Sequence, residues 1–302
     1  LWAWVCYAGT LSVSAQQLTT DAIMAQAIAL GEVQNGNEDF AGFEALDSLL
    51  QGVEIVMLGE QSHGDATTYE AKIKLIKYLH QQLGYDLLAF EAGLYDMHKV
   101  NQLIDEGGDM RESIAMGMTI LWGCTKDFKP LVTYLESSRQ TERPLQLLGF
   151  DGQPTGRASE YYYREEMLAY LDSVDATLTK GSEAAHFFKS LDLLLDGEFK
   201  KFKRHMAAQD TVYFNTIIKT IKSRQVGEFE LWARRLKGTK ICMSDLGLKT
   251  DDRDKQMASN LIWLKEQYPD KKIICWGATS HFLYNSGDVK MRSAIVRMLG
   301  GT

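Results

Sequence analysis

Five ionisable residues stand where short apolar runs of this chain give out. Glu60 follows Glu54–Leu58 and Gly59, with His63 three residues further on. Glu91 follows Asp86–Phe90, Asp151 follows Leu145–Phe150, and His281 follows Lys272–Trp276 through Gly277-Ala278-Thr279-Ser280. Imidazole titrates near neutral pH, so a neighbouring carboxylate can orient it as a general base towards water. The loop Gly59-Glu60-Gln61-Ser62-His63-Gly64 carries a glycine at each end, which allows a tight turn that holds the His63 ring over a sheet edge. Glu91 interrupts the apolar segment Ala89-Phe90-Glu91-Ala92-Gly93, where a charge is costly unless it is paired or doing chemistry. Plainer roles exist for each residue. A carboxylate after a strand is often the N-cap of the next helix, a reading that is strongest for Asp151, and His63 can be a turn residue at a helix start.

Short apolar runs separated by helix-length segments predict parallel strands covered by helices on both faces. Residues 68–83 place Ala71, Leu75, Leu79 and Leu83 at four-residue spacing, with Gly84 positioned to stop the helix. Residues 127–139 repeat the pattern with Phe128, Leu131 and Leu135, and residues 252–267 with Met257, Leu261 and Leu264. Residues 18–50 read as a helical lead-in whose apolar contacts are Ile23, Ile28, Leu30, Phe43 and Leu46. Between the third and fourth apolar runs, Tyr161–Leu171, Ala184–Leu195, Val212–Lys222 and Phe229–Leu236 suit amphipathic helices. The expected fold is α/β, a mostly parallel sheet with flanking helices, as one domain over 18–302 with a helical insertion at about 155–245. In such an open sheet the carboxyl ends of the strands line one crevice, where ligands bind.

Composition narrows the partners. The chain has 302 residues, 45% of them apolar, and a net charge of −7 with a pI near 5.5, so nothing draws it globally to phosphate backbones. The one basic run, Phe199 to His205, fits a helix with Phe199 and Phe202 on an apolar face beneath a solvated basic one, and no nucleic-acid partner is expected. The uncharged opening LWAWVCYAGTLSVSA, residues 1–15, resembles the remnant of a secretory signal peptide, which predicts a periplasmic or secreted protein. No other apolar run reaches the roughly 20 residues of a membrane span. Beyond Cys6, the cysteines Cys124, Cys242 and Cys275 are scattered without metal-type spacing and read as small apolar residues.

The segment from Leu58 to Gly93, LGEQSHGDATTYEAKIKLIKYLHQQLGYDLLAFEAG, resembles the opening motif of the erythromycin esterase family: a Gly-Glu-x-x-His-Gly loop, a helix, and a strand ending in a carboxylate. The resemblance continues through Trp122, the helix at 127–139, Leu148 to Asp151, then Arg253, Met257 and Asn260, and ends at Trp276 to His281. It implies hydrolysis of carboxylic esters or lactones of small-molecule substrates by histidine-activated water, without a cofactor or a metal. His63 would be the base, Glu60 and Glu91 the acids that orient it, and His281 the second histidine of a His-Asn-x-His segment. Lys72 occupies the family's arginine position, and with His281 would assist at the oxyanion. Asp151 and Arg253 would face the substrate, Arg253 either binding an anionic group or bracing the cleft, with a structural salt bridge an equal reading for it. Two departures stand out. Ala278 and Thr279 replace the first histidine and the asparagine of that segment, and Lys72 keeps the charge of arginine but not its planar fork. These departures favour an alternative, a binding protein on the same scaffold with weak or no turnover. A metal-dependent hydrolase is a further alternative, since two histidines and two glutamates at one crevice could bind a cation. A serine hydrolase fits poorly: Ser62 adjoins His63, but no Gly-x-Ser-x-Gly elbow is present. A nucleophilic Cys124 would need a histidine neighbour.

Overall fold

The computed structural model describes residues 24–25, 27–33, 38–118, 122, 125–206, 208–245 and 252–282. The leader-like residues 1–15, Cys6, Ile23 and Cys124 lie outside them. Four strands, β1 (Ile55–Glu60), β2 (Tyr85–Gly93), β3 (Gln146–Asp151) and β4 (Lys272–Ala278), form one sheet in the order β1-β4-β2-β3. Every pairing is parallel, so all four carboxyl ends lie on one edge. The expected α/β class holds. The strands run further than their apolar stretches suggested. Glu60 and Asp151 are the last residues of β1 and β3, and Glu91 lies within β2, where its side chain is paired rather than solvated.

Strand alternation explains why the sheet needs cover on both faces. Leu88, Phe90 and Ala92 of β2, with Ile274 and Trp276 of β4, enter one core, while Leu87, Ala89, Ile273 and Cys275 enter the other. Helices α1 (Ala66–Leu83), α2 (Leu94–Asp105), α3 (Met110–Gly117) and α4 (Lys129–Ser138) supply the first core with Ile73, Ile76, Val100, Ile114 and Leu131. Asp65 caps α1 by accepting the Thr68 N–H at 3.5 Å and also takes the Thr68 hydroxyl at 2.7 Å, and Gly84, left-handed at φ 75°, ends the helix. Pro130 sits in the first turn of α4, where its missing N–H costs nothing.

Between Ser159 and Asp245 the described residues are mostly helical, through a π-helical turn (Ser159–Tyr163) into α5 (Arg164–Asp175), then α6 (Gly181–Leu195), α7 (Phe199–His205), α8 (Ala208–Arg224) and α9 (Phe229–Asp245). This stretch has its own core, centred on Phe187, Leu191, Phe214, Ile217 and Leu236. Helix α10 (Asp252–Gln267) then covers the second sheet face with Met257, Leu261 and Leu264 before β4 enters between β1 and β2. Among the described residues no helix is long and apolar enough to cross a membrane.

Two expectations need correction. In the basic run only Phe202 is buried, and Phe199, the first residue of α7, is 48% exposed. Among the described residues of the lead-in, Met24 and Ala45–Leu49 are helical. Ile28 and Leu30 are exposed, the Gly31 N–H bonds to Ala41 O in an irregular pairing, and Phe43 alone is buried, packed on Tyr78 at 5.5 Å.

The helical stretch docks on the sheet edge where Gly238 of α9 meets Gly152, just past β3. A Cβ at Gly238 would lie 2.3 Å from Gly152 O and 2.5 Å from Gly152 Cα, backbone atoms that cannot swing aside. Gly238→Ala should therefore destabilise the protein by about 1–3 kcal/mol, seen as a lower melting temperature. An unchanged melting temperature would mean that the two backbones do not touch this closely in solution.

Candidate active site

Glu60 is the centre of the first cluster. It ends β1 with 3% exposure, beside β4, and its neighbours converge from three other places in the chain. His63 Nδ1 lies 2.6 Å from Glu60 Oε1, which also accepts the indole N–H of Trp122 at 2.9 Å. Glu60 Oε2 accepts the indole N–H of Trp276 at 2.8 Å and the ammonium of Lys72 at 3.4 Å. Indole, ammonium and an Nδ1–H imidazole are donors only in this setting, so both carboxylate oxygens are committed as acceptors. The proton on His63 is thereby assigned to Nδ1, and Nε2 is left with its lone pair. His63 is exposed, and its ring meets Trp122 edge-on at 4.9 Å. Its loop is closed by the Gly64 N–H donating to the Tyr69 hydroxyl at 3.1 Å. Burial, then the nearby Glu60, raises the Tyr69 phenol to about 12, so it stays neutral. Of the two loop glycines only Gly64 takes a positive φ, and Gly59 pairs within β1.

Lys72 differs from its expected place. It is 6% exposed, donates to Leu58 O at 3.1 Å, and lies 4.7 Å over the Trp276 ring. Burial lowers it to about 8 against the opposing pull of Glu60. It therefore braces Glu60 from inside rather than meeting an oxyanion in the crevice.

The second cluster occupies the ends of β2 and β3. Glu91 Oε1 accepts from Arg253 Nη2 at 2.9 Å and lies 3.1 Å from His281 Nε2, while Oε2 accepts the Ala278 N–H at 2.8 Å. Arg253 also donates to Asp151 from Nη2 at 2.6 Å and from Nε at 3.2 Å, a fork-on-fork pair. His281 is held on its other side by Asp254, with Nδ1 to Oδ1 at 2.8 Å. Burial works against ionising Glu91, but His281, the Ala278 N–H and Arg253 outweigh it and hold the carboxyl at about 2. Burial likewise disfavours a charged His281, yet Asp254 and Glu91 outweigh it and raise the ring to about 9. At neutral pH His281 is an imidazolium with both N–H groups spent on carboxylates.

The sequence thus predicted the convergence of all seven residues on one edge, and the structure divides them into two networks. Glu60 contacts His63, whereas Glu91 does not support His63 and instead holds Arg253 and His281. Asp151 and Arg253 neutralise each other, the structural salt bridge that the sequence equally allowed for Arg253, and His281 is 6% exposed with both ring nitrogens against carboxylates. His63 is the one of the seven whose side chain is exposed at the crevice. Trp276 and Asp254 had no assigned role in the sequence. The available signals were the position of Trp276 at a strand end, two residues before Ala278, and that of Asp254 directly after Arg253 at the start of a helix. Among the described residues no group of three or more His, Cys, Asp or Glu side chains is arranged to hold a metal ion.

A parallel α/β sheet with an acid-supported histidine at its carboxyl edge and a helical stretch docked beside it defines the class of protein. Comparison then gives the family. The erythromycin esterase family profile matches residues 80–294, and the chain belongs to that family. It is 28% identical over 268 residues to YbfO of Bacillus subtilis (strain 168), whose name carries a provisional hydrolase assignment; the match takes in 78% of this chain and 58% of that protein. It is 27% identical over 114 residues to erythromycin esterase type I of Escherichia coli, covering 37% of this chain and 27% of that protein. The chain therefore spans well under two thirds of either relative. Among solved structures, a succinoglycan biosynthesis protein superposes with a TM-score of 0.70 at 17% identity, over 93% of this chain and 72% of that one. A mutant of erythromycin esterase EreC in its open conformation gives 0.68 at 21% identity, over 87% and 71%. These two likenesses show the fold.

Proposed function

We propose that this protein hydrolyses carboxylic esters or lactones, with His63 as the general base. The observation that carries the reading is the 2.6 Å contact between buried Glu60 and the exposed His63 ring. With Nδ1–H donated to the carboxylate, Nε2 can take a proton from water as the water attacks the ester carbonyl. Glu60 stabilises the imidazolium that forms, and the proton then passes to the departing alkoxide. Trp122, Trp276 and Lys72 keep Glu60 from turning away. The Glu91–Arg253–Asp151 network holds the neighbouring strand ends in register and serves as scaffold to the crevice.

The test compares the purified protein with His63→Ala on activated esters and lactones. The variant should lose about 10²–10⁴-fold in kcat/KM. Equal rates would remove the hydrolase reading and leave the second one, a binding protein on the same scaffold. What favours that second reading is that Asp151, Arg253 and His281 spend their charges on one another rather than on the crevice, and that Ala278 stands where the family has a histidine. A chelator added to the same assay tests a metal-dependent route, which it would inhibit.

A further inference from the structure

Among the described residues β3 is the outermost strand on its side of the sheet, and side chains rather than a further strand meet its outer edge. Asn101 Nδ2 donates to Leu147 O at 2.7 Å, and the Leu145 N–H donates to Ser138 Oγ at 3.2 Å. Beside them, at the amino end of β3, a cleft of about 200 Å³ lies between the ends of α2 and α4. Ile104, Met110, Leu135 and Leu147 supply its apolar lining, none of them more than 9% exposed. A cavity of about 150 Å³ holds benzene, so this one has room for a small organic ligand. Gln146 and Asp151 end β3 roughly 17 Å apart. The cleft is therefore at the far edge of the sheet from His63.

The charged part of the lining is net positive, in a chain whose overall charge is −7. Lys271 enters from the turn before β4, with its N–H bonded to Tyr268 O at 3.1 Å and its carbonyl accepting from Lys265 Nζ at 3.0 Å. Its ammonium lies 5.6 Å over the Tyr268 ring and makes no ion pair among the described residues. The Tyr268 hydroxyl accepts Gln146 Nε2 at 3.3 Å, which ties that ring to β3. Arg139 donates to Asp105 at 2.8 Å, but the two side chains are 39% and 67% exposed. An exposed pair of this kind contributes little to stability, so Arg139 turns to an incoming anion at small cost.

We propose that this cleft binds a small amphipathic carboxylate. The apolar tail lies on Ile104, Met110, Leu135 and Leu147, and the head meets Lys271 with help from Arg139. Two cations and one acid leave a surplus of one positive charge, which matches a carboxylate better than a doubly charged phosphate. The site is separate from the crevice, and the proposal does not depend on ester hydrolysis.

Hexanoate is the probe, and hexanamide its neutral counterpart. Hexanoate should bind with a Kd of about 1 mM, ordinary for a ligand of this size, and hexanamide about 3–10-fold more weakly. A hydrolase crevice also accepts carboxylates, so the readout must be local. In the full chain, labelled on its methionine methyls, the Met110 resonance (assigned with Met110→Leu) should move saturably as hexanoate is added. By that signal Lys271→Gln should weaken binding about 3–10-fold. Asp105→Asn, which releases Arg139, should tighten it about 2–5-fold, a gain that misfolding does not produce. A Met110 resonance that stays in place up to about 50 mM hexanoate overturns the site. So do equal affinities for acid and amide, or a folded charge variant that binds like the wild type. Where Lys271→Gln does not fold, Asp105→Asn and the comparison of acid with amide decide alone.

Discussion

Glu60→Gln should lower ester hydrolysis by about 10⁴-fold, the scale expected when a catalytic imidazole is held in the wrong tautomer. Glutamine has nearly the shape of glutamate but carries one acceptor oxygen and one donor nitrogen in place of two acceptors. In one orientation its NH₂ faces the Trp276 indole N–H and the Lys72 ammonium, so donors oppose donors. In the other it faces His63 Nδ1 and Trp122 Nε1, which turns His63 into the tautomer whose proton sits on Nε2. Neither choice satisfies the site, and the orphaned buried donors should remove about 1–3 kcal/mol of stability as well. The two effects are read separately, as kcat/KM on an activated ester and as a urea midpoint. A variant that keeps its rate would mean that Glu60 does not set the tautomer of His63.

The parts of this site that were legible in the sequence were the local ones. Apolar runs marked four strand ends, three of them closing on acids. Asp65, Gly84 and the four-residue leucine spacing marked α1, and residues 252–267 are helical with the bounds that their periodicity suggests. Pairing was not legible, because it is set by strand order. β4, last of the four in sequence, inserts between β1 and β2, and that carries Trp276 onto Glu60 and the Ala278 N–H onto Glu91. The resemblance assigned both Glu60 and Glu91 to His63, and only the fold shows that Glu91 turns instead to Arg253 and His281. Nor could charge type alone show that Lys72 points inward: its ammonium lies over the Trp276 ring, and only burial distinguishes a bracing lysine from one that meets substrate.

Arg253→Met should be the most destabilising of these changes, about 3–5 kcal/mol, because it leaves Asp151 at 1% exposure and Glu91 at 7% without their shared cation. Methionine keeps much of the apolar stem, so the loss reports charge and hydrogen bonding rather than volume. The urea midpoint should fall with an unchanged slope. The same network sets a pH dependence whose sign follows from its two shifted groups. Glu91 is depressed from 4.5 to about 2, so its contribution is complete above 4.5 and is lost as pH falls through 2. His281 is raised from 6.5 to about 9, so its contribution is complete below 6.5 and is lost as pH rises through 9. Both act in full only between those unfolded-state values, from about pH 4.5 to 6.5. Subtracting the stability of His281→Asn from that of the wild type isolates the histidine from the other groups that titrate in this chain. That difference should be largest near pH 6 and shrink as pH climbs to 9. A difference that stays level across that interval would mean that His281 is neutral in the folded protein, and that Asp254 and Glu91 do not hold it charged.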